Sequence, residues 1–294
     1  MDRTTERLHP DAANLDRRPP REAAALLAEG QIAAATALRG ALDAFPPAAA
    51  AMAATIRAGG VLHYVAAGSS GLMAAADAQE LGGTFSIPAA QLRIHMAGGL
   101  PRGVEMPGGT EDDTGGLADA LATLGPEDTV IAVSASGTTP YTLAAADIAR
   151  ARGATIIAIA NNPGAPLLAG ADHAILLETP PEVLSGSTRM GAGTAQKIAL
   201  NMLSTLMALD LGHVHDGMMV NLRADNTKLR ARAAGIVARV AAVDEAAARR
   251  ALEATRGEVK AAVLVAARGL APAEARAALD AADGHLRAAL ARPR

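Results

Sequence analysis

Short apolar runs alternate with helical patterns through the middle of the chain. The runs are rich in β-branched residues and are bounded by glycine or hydroxyl residues, which is typical of buried strands. Five strands are predicted, near residues 61–66, 91–96, 129–134, 154–160 and 173–177. The segments between them predict helices near 71–80, 116–123, 141–152 and 165–169. Strands that alternate with helices indicate an α/β fold, a three-layer α-β-α sandwich with a five-stranded parallel sheet.

Helical patterns also flank the predicted sheet. Before it, Pro20 suits the first turn of a helix that extends to about Phe45, and a second helix reaches Arg57. After it, an almost wholly apolar helical stretch spans about 192–211, and we expect it to be buried, in part against a second subunit. The last fifty residues predict two or three short helices. The expected regions are an N-terminal arm with helices (1–58), the sheet domain (59–220) and C-terminal helices (221–294).

Clusters of glycine and hydroxyl residues follow two of the predicted strands. Residues 68–71 read GSSG after the first strand, and residues 134–139 read SASGTT after the third. Each cluster leads into a helical pattern, where backbone N–H groups and the helix dipole favour an anion. Because parallel strands end at one edge of the sheet, the two turns predict one phosphorylated ligand held from two sides. Ordinary helix capping would use the same residue types, and that alternative stays open.

A long loop after the second predicted strand reaches the same edge of the sheet. It covers about 97–115 and contains Glu105, Glu111, Asp112 and Asp113. Loops of this length in compact domains usually carry function. We therefore expect the chemistry to lie in this loop and in the two turns.

Composition narrows the classes of function. The chain has 294 residues and no cysteine, which excludes disulfides, thiolate catalysis and metals bound by cysteine. A net charge of −3 gives no reason to expect nucleic acid or a membrane as partner. The first 20 residues are polar and no apolar run is long enough to span a membrane, so we expect a cytoplasmic protein. His213 and His215 are too close in sequence to share a helix face, and no metal is expected.

The longest motif lies just before and within the apolar helical stretch. Residues 184–197 read LSGSTRMGAGTAQK, and residues 258–260 read EVK. With these motifs and the two turns, the chain resembles the N-acetylmuramic acid 6-phosphate etherases of the sugar isomerase (SIS) fold superfamily. The resemblance runs from about Thr5 to Ala291. It implies a SIS domain, a small ubiquitin-associated-like (UBA-like) helical tail and a homodimer with sites near the subunit interface.

The resemblance also implies an activity. Water would replace the D-lactyl ether on C3 of a phosphorylated amino sugar, giving N-acetylglucosamine 6-phosphate and D-lactate without a cofactor. By motif position two glutamates would transfer the protons, Glu80 as the acid and Glu111 as the base, although the sequence alone does not order them. We expect the substrate-binding residues to be Gly68, Ser69, Ser70, Ser134, Ser136, Gly137, Thr139, Glu182, Ser187 and Lys197.

The chemistry explains why two carboxyl groups are needed. Ring opening exposes an aldehyde that acidifies the C2 proton; one carboxylate removes this proton, and a second group protonates the departing lactate oxygen. The two carboxyl groups should therefore have pKa values that are pushed apart. On a continuous helix Glu80 would lie about 13 Å beyond the GSSG turn, which predicts a site completed by a second subunit.

The chain departs from the family pattern at several positions. Leu72, Thr138 and Gly191 stand where basic residues are usual, and residues 81–83 read LGG in place of CPP. Three positive charges near an anionic substrate are therefore missing. Two alternatives stay open: a phosphosugar-binding regulator without catalysis, like the glucokinase-regulatory relatives, and an aldose–ketose isomerase. Lactate release distinguishes the etherase from both.

Overall fold

The computed structural model describes residues 3–106 and 108–292. The chain divides into two compact units, one of Met1–Gln79 and Ala90–Ser204, the other of Glu80–Ala89 and Thr205–Arg294. The outer ends of the predicted N-terminal and C-terminal regions and Pro107 of the acidic loop lie outside the described residues. The N-terminal helices belong to the same unit as the sheet. The division into three regions, which the sequence suggests, stays a prediction.

The first unit is built on a five-stranded parallel sheet in the order β2-β1-β3-β4-β5. The central strands β1 and β3 are buried along their whole length, as their apolar runs predict. The predicted fold class is confirmed. The strands are β1 (Leu62–Ala66), β2 (Leu92–Met96), β3 (Thr129–Ser134), β4 (Thr155–Ala160) and β5 (His173–Leu176).

Helices cover both faces of this sheet. On one face, α4 and α5 pack with the side chains of Val65, Val130 and Ile156. On the other face, α2 contacts β1, β3 and β5. The helices are α1 (Pro20–Thr36), α2 (Phe45–Ala58), α3 (Gly68–Phe85), α4 (Leu117–Ala120), α5 (Pro140–Arg152), α6 (Pro166–Ala169) and α7 (Gly191–Asp210), the last of which continues into the second unit.

A buried carboxylate joins α3 and α7 to the sheet. Asp77 on α3 is 4% exposed and accepts hydrogen bonds from Tyr64 Oη at 3.1 Å, Asn201 Nδ2 at 2.7 Å and Ser204 Oγ at 2.9 Å. Burial without such donors costs about 2–7 kcal/mol for an uncharged polar group and more for a carboxylate. This network fixes the helix that follows the first glycine and serine turn.

The first predicted helix is shorter than the sequence suggests. It ends at Thr36 and continues as a 3-10 helix over Ala37–Ala44 before α2 begins at Phe45. Thr36 Oγ1 donates a hydrogen bond to Ile32 O at 2.8 Å, a contact that competes with the helix backbone. Prolines then occupy the first turn of α2, where they need no hydrogen-bonded N–H. The prediction of a single helix up to Phe45 was therefore wrong.

The second unit is helical apart from one hairpin. Strands β6 (Val214–His215) and β7 (Met218–Met219) pair antiparallel across Asp216 and Gly217, which have φ values of 46° and 73°. A two-residue hairpin turn of type I′ requires positive φ at both central residues. The helices are α8 (Thr227–Ala241), α9 (Glu245–Ala254), α10 (Val259–Arg268), α11 (Pro272–Asp280) and α12 (Leu286–Ala291).

As far as Arg292, the last described residue, the tail after α8 holds four helices, so the expected two or three were too few. The extra break lies at Gly284, which has a φ of +76°. Val237 of α8, Leu264 of α10 and Leu286 of α12 belong to one buried hydrophobic cluster. Among the described residues, no helix is both long and apolar enough to cross a membrane.

Candidate active site

A pocket of about 490 Å³ is formed by residues of the first unit where β1 and β3 end. Both glycine and hydroxyl turns line it, as does the acidic loop. The structure thus brings together five of the residues predicted to bind substrate, namely Ser69, Ser70, Ser134, Ser136 and Thr139. The remaining lining residues are Arg3, Thr5, Glu6, Ala67, Glu111, Asp112, Ala135, Thr138, Pro140, Gly186 and Thr188.

The turn after β3 contains a cluster of hydroxyl groups. Ser134 Oγ lies 2.9 Å from Thr139 Oγ1 and 3.3 Å from Ser136 Oγ. Thr139 is the N-cap of α5, yet its side chain makes no capping hydrogen bond. Ser134 Oγ accepts the N–H of Gly137 at 3.0 Å, which closes the turn. Hydroxyl groups therefore converge beside an α5 N-terminus that no side chain caps, as an anion site requires.

Gly137 shapes this turn. Its φ is +66°, and a Cβ there would lie 2.4 Å from Cβ of Ala165. Its carbonyl oxygen accepts the N–H of Leu167 at 3.1 Å. Only glycine combines this backbone conformation with so close a neighbour. Gly137 thus packs the turn against the segment before α6.

The first turn holds the carboxylate of Glu111. Gly68 has a φ of +54°, and a Cβ on it would lie 2.7 Å from Oε1 of Glu111. Ser69 and Ser70 follow in the first turn of α3 and line the pocket. The Glu111 carboxylate therefore lies at the start of α3, where the helix dipole favours a negative charge.

The backbone of Glu111 is fixed at the other turn. Its carbonyl oxygen accepts a hydrogen bond of 3.1 Å from the N–H of Tyr141, in the first turn of α5. One residue of the acidic loop thus contacts the starts of both helices. This position supports the prediction that Glu111 faces a ligand, because its side chain is exposed to the pocket.

An N-terminal arm, residues 3–7, forms a wall of the pocket that the sequence did not predict. Thr5 is 2% exposed; its N–H donates to Asn162 Oδ1 at 3.3 Å, and its Oγ1 accepts from Asn162 Nδ2 at 3.1 Å. Ser185 Oγ donates to the carbonyl oxygens of Glu6 and Arg7 at 3.4 and 3.3 Å. The one cue in the sequence is that the family resemblance begins at Thr5.

Gly68 and Gly137 shape the two turns without lining the pocket, and three further residues expected to bind substrate, Glu182, Ser187 and Lys197, do not line it either. Glu182 is 6% exposed, and its carboxylate accepts the N–H groups of Gly191 and Ala192 at 2.9 and 2.8 Å. It therefore caps the start of α7, where a carboxylate is stabilised. Lys197 is exposed on α7, and Ser187 lies between two lining residues without lining the pocket itself.

Gly191, at a position where the resemblance implies a basic residue, has little space for a side chain. A Cβ there would lie 3.0 Å from both Cβ of Ala34 and Oε2 of Glu182. A side chain at this position would therefore crowd the Glu182 carboxylate that caps α7.

Glu80 lies on α3 in the second unit and is exposed. The helix is continuous from Gly68 to Phe85, as the sequence predicts over 71–80. The role of Glu80 as an acid stays a prediction.

The first comparison with known proteins concerns the fold. The SIS domain family model matches residues 111–210. A solved structure, a putative phosphosugar isomerase from Bacteroides fragilis, is similar with a TM-score of 0.54 and 20% identity, covering 68% of this chain and 95% of that one. A putative sugar-phosphate isomerase from Listeria monocytogenes gives 0.50 and 15%, covering 66% and 93%. The protein thus has the SIS fold.

Relatives that match most of the chain show its family. N-acetylmuramic acid 6-phosphate etherase of Deinococcus radiodurans is 45% identical over 276 residues, 92% of this chain and 90% of that protein. The etherase of Rubrobacter xylanophilus is 42% identical over 274 residues, with the same coverage. That of Streptomyces avermitilis is 42% identical over 265 residues, 89% and 85%. The chain belongs to the N-acetylmuramic acid 6-phosphate etherase family, which confirms the resemblance seen in its motifs.

Proposed function

We propose that the protein is an etherase that converts N-acetylmuramic acid 6-phosphate and water into N-acetylglucosamine 6-phosphate and D-lactate. The observation that carries the proposal is the carboxylate of Glu111 at the start of α3, beside the hydroxyl cluster of the second turn. The chain also belongs to a family whose members carry this name. The pocket is of suitable size, since 490 Å³ falls in the range of small-molecule sites.

The phosphate is assigned to the turn after β3. Ser134, Ser136 and Thr139 supply hydroxyl donors, and α5 begins there with the positive end of its dipole. These donors are uncharged, so they bind the phosphate without a lysine. The sugar would then extend from this turn toward Glu111.

Glu111 is assigned as the base. In the open-chain sugar the C1 aldehyde acidifies the C2 proton, which the Glu111 carboxylate removes. The electron pair left on C2 expels the lactate oxygen from C3, and this oxygen takes a proton from an acid. Water then adds to C3 of the unsaturated aldehyde, and C2 regains a proton. The balance is one water consumed and one D-lactate released.

Glu80 is assigned as the acid that protonates the leaving oxygen. Because its side chain is exposed in the single chain, we propose that it acts in a homodimer and faces the pocket of the second copy. In a mixed dimer of one Glu80→Gln and one Glu111→Gln chain, one site is intact and the other lacks both glutamates. Relative to total protein, activity should recover to about a half in pure mixed dimers and to about a quarter in a random mixture. No recovery in mixed dimers would contradict shared sites.

Release of D-lactate tests the activity itself. The purified protein is incubated with N-acetylmuramic acid 6-phosphate, and D-lactate is measured with a D-lactate-specific dehydrogenase. The proposal predicts stoichiometric lactate and N-acetylglucosamine 6-phosphate. If the protein binds the phosphosugar but releases no lactate, the regulator or the isomerase alternative replaces the etherase.

A further inference from the structure

The side chains that line the pocket include more acidic than basic groups. Glu6, Glu111 and Asp112 line it, and Arg3 is the one positively charged residue among the described residues of the lining. A substrate of the proposed reaction carries two acid groups, a phosphate on C6 and the carboxylate of the lactyl group. The two turns offer uncharged donors, which suit the phosphate. A carboxylate among three acidic side chains needs a cation.

The backbone beside Arg3 is anchored through Thr5. It directly precedes the 3-10 turn Thr4–Glu6, and the next residue but one, Thr5, is buried. The Asn162 amide that pairs with Thr5 also donates to the carbonyl oxygen of Ala135 at 3.1 Å. Ala135 lies within the turn of the hydroxyl cluster. The arm is therefore tied through one side chain to the same turn that is assigned to the phosphate.

We propose that Arg3 recognises the lactyl carboxylate of the substrate and thereby selects the ether over the lactyl-free sugar phosphate. The proposal rests on the function proposed above. An arginine fits this role because its guanidinium binds a carboxylate through two parallel hydrogen bonds. Phosphosugars without an acidic side group would bind through the turns alone. Arg3 is thus a residue for specificity, and the proton transfers remain with the glutamates.

The test compares two ligands that differ in the lactyl group. Dissociation constants of N-acetylmuramic acid 6-phosphate and N-acetylglucosamine 6-phosphate are measured by calorimetry with Glu111→Gln protein, so that the substrate is not consumed. Adding Arg3→Gln should weaken the first ligand about tenfold to a hundredfold, the usual loss for a charged hydrogen-bond partner. The second ligand should change less than about twofold, on the argument that a phosphate held by uncharged donors does not need Arg3.

A matched control is Arg17→Gln, which removes the same charge from an exposed position that does not line the pocket. It should leave the dissociation constants of both ligands unchanged. Equal weakening of both ligands by Arg3→Gln would overturn the assignment to the carboxylate, and unchanged binding of both would remove Arg3 from the site. A wild-type protein that releases no lactate would instead refute the proposed function, and the calorimetric comparison would still decide the role of Arg3.

A second variant tests the anchor of the arm. Thr5→Val keeps the volume of the side chain and removes the oxygen that accepts from Asn162. It should weaken N-acetylmuramic acid 6-phosphate more than N-acetylglucosamine 6-phosphate, as Arg3→Gln does. A thermal unfolding midpoint equal to that of the protein without the Thr5→Val change shows that the fold is kept. Unchanged selectivity in Thr5→Val would contradict a role for the anchored arm.

Discussion

The backbone N–H of Tyr141 donates a hydrogen bond of 3.1 Å to the carbonyl oxygen of Glu111. This contact ties the acidic loop to the first turn of α5, beside the hydroxyl cluster. The side chain of the same glutamate lies at Gly68, at the start of α3. Two turns that are far apart in sequence are thus linked by one loop residue. The position of Glu111 is set by its main chain, so its side chain can be changed without releasing the loop.

Glu111→Gln should therefore abolish most activity and leave the fold intact. Glutamine keeps the shape of the side chain and lacks the basic carboxylate. Loss of a general base typically lowers the rate by about 10²-fold to 10⁴-fold. D-lactate release under saturating substrate measures kcat. The control is Glu105→Gln, an exposed residue of the same loop that does not line the pocket. An active Glu111→Gln protein would exclude Glu111 as the base.

Gly68→Ala should lower activity by moving that carboxylate. The new Cβ would lie 2.7 Å from Oε1 of Glu111, and the φ of +54° disfavours any residue with a side chain by about 1 kcal/mol. We expect kcat to fall more than tenfold, because small displacements of a catalytic group are costly. Steady-state kinetics measure kcat, and circular dichroism checks that the helices are kept.

Gly83→Ala serves as the control for this change. Gly83 lies on the same helix, and a Cβ there would have no neighbour within 4 Å. Alanine should stabilise the helix by up to about 1 kcal/mol. Equal losses of activity in both variants would indicate a general effect on α3.

Glu182→Gln should destabilise the protein and leave its specificity unchanged. The carboxylate accepts two N–H groups at the start of α7, so its loss should cost about 1–2 kcal/mol in the free energy of unfolding. Urea unfolding measures the cost, with the exposed Glu178→Gln as control. If the KM rises and stability does not change, Glu182 contacts substrate, as expected from the family resemblance.

The stability of the fold should fall in mild acid because of His95. Its Nε2 lies 3.0 Å from Nδ1 of His63, and burial, with His63 and Arg93 nearby, lowers the pKa of His95 to about 4. The unfolded chain binds a proton near the ordinary value of 6.5, whereas the folded chain does so only near 4. The stabilisation is therefore complete above pH 6.5 and is lost as the pH falls toward 4.

The loss should amount to about 1–2 kcal/mol over this window, a value reduced for the partial exposure of the ring. His95→Gln should flatten the pH dependence of unfolding between pH 6.5 and 4, the window set by the two pKa values. An unchanged slope in His95→Gln would assign the acid sensitivity to other groups.

Local signals in the sequence were sufficient for the sheet and the two turns. The apolar runs of β1 and β3 are buried throughout, and glycine and serine follow each of them. The arm could not be predicted in this way. Thr5 and Asn162 are 157 residues apart in sequence, and a pair of polar residues leaves no periodic pattern.

Glu182 shows a second limit of the sequence. It was expected to bind substrate, whereas the structure places its carboxylate at the N–H groups of α7. A cap of this kind depends on the path of the loop before the helix, which neither propensity nor motif spacing specifies. The cap made by Glu182 was therefore not predicted from the sequence, and its contact with substrate stays a prediction.

The central claim is that elimination and rehydration occur at C3 of the sugar. It is tested most directly by incubating the wild-type protein with N-acetylmuramic acid 6-phosphate in heavy-oxygen water and locating the label by mass spectrometry. The account predicts labelled oxygen on C3 of N-acetylglucosamine 6-phosphate and unlabelled D-lactate. Label in the lactate hydroxyl, with none on C3, would contradict it.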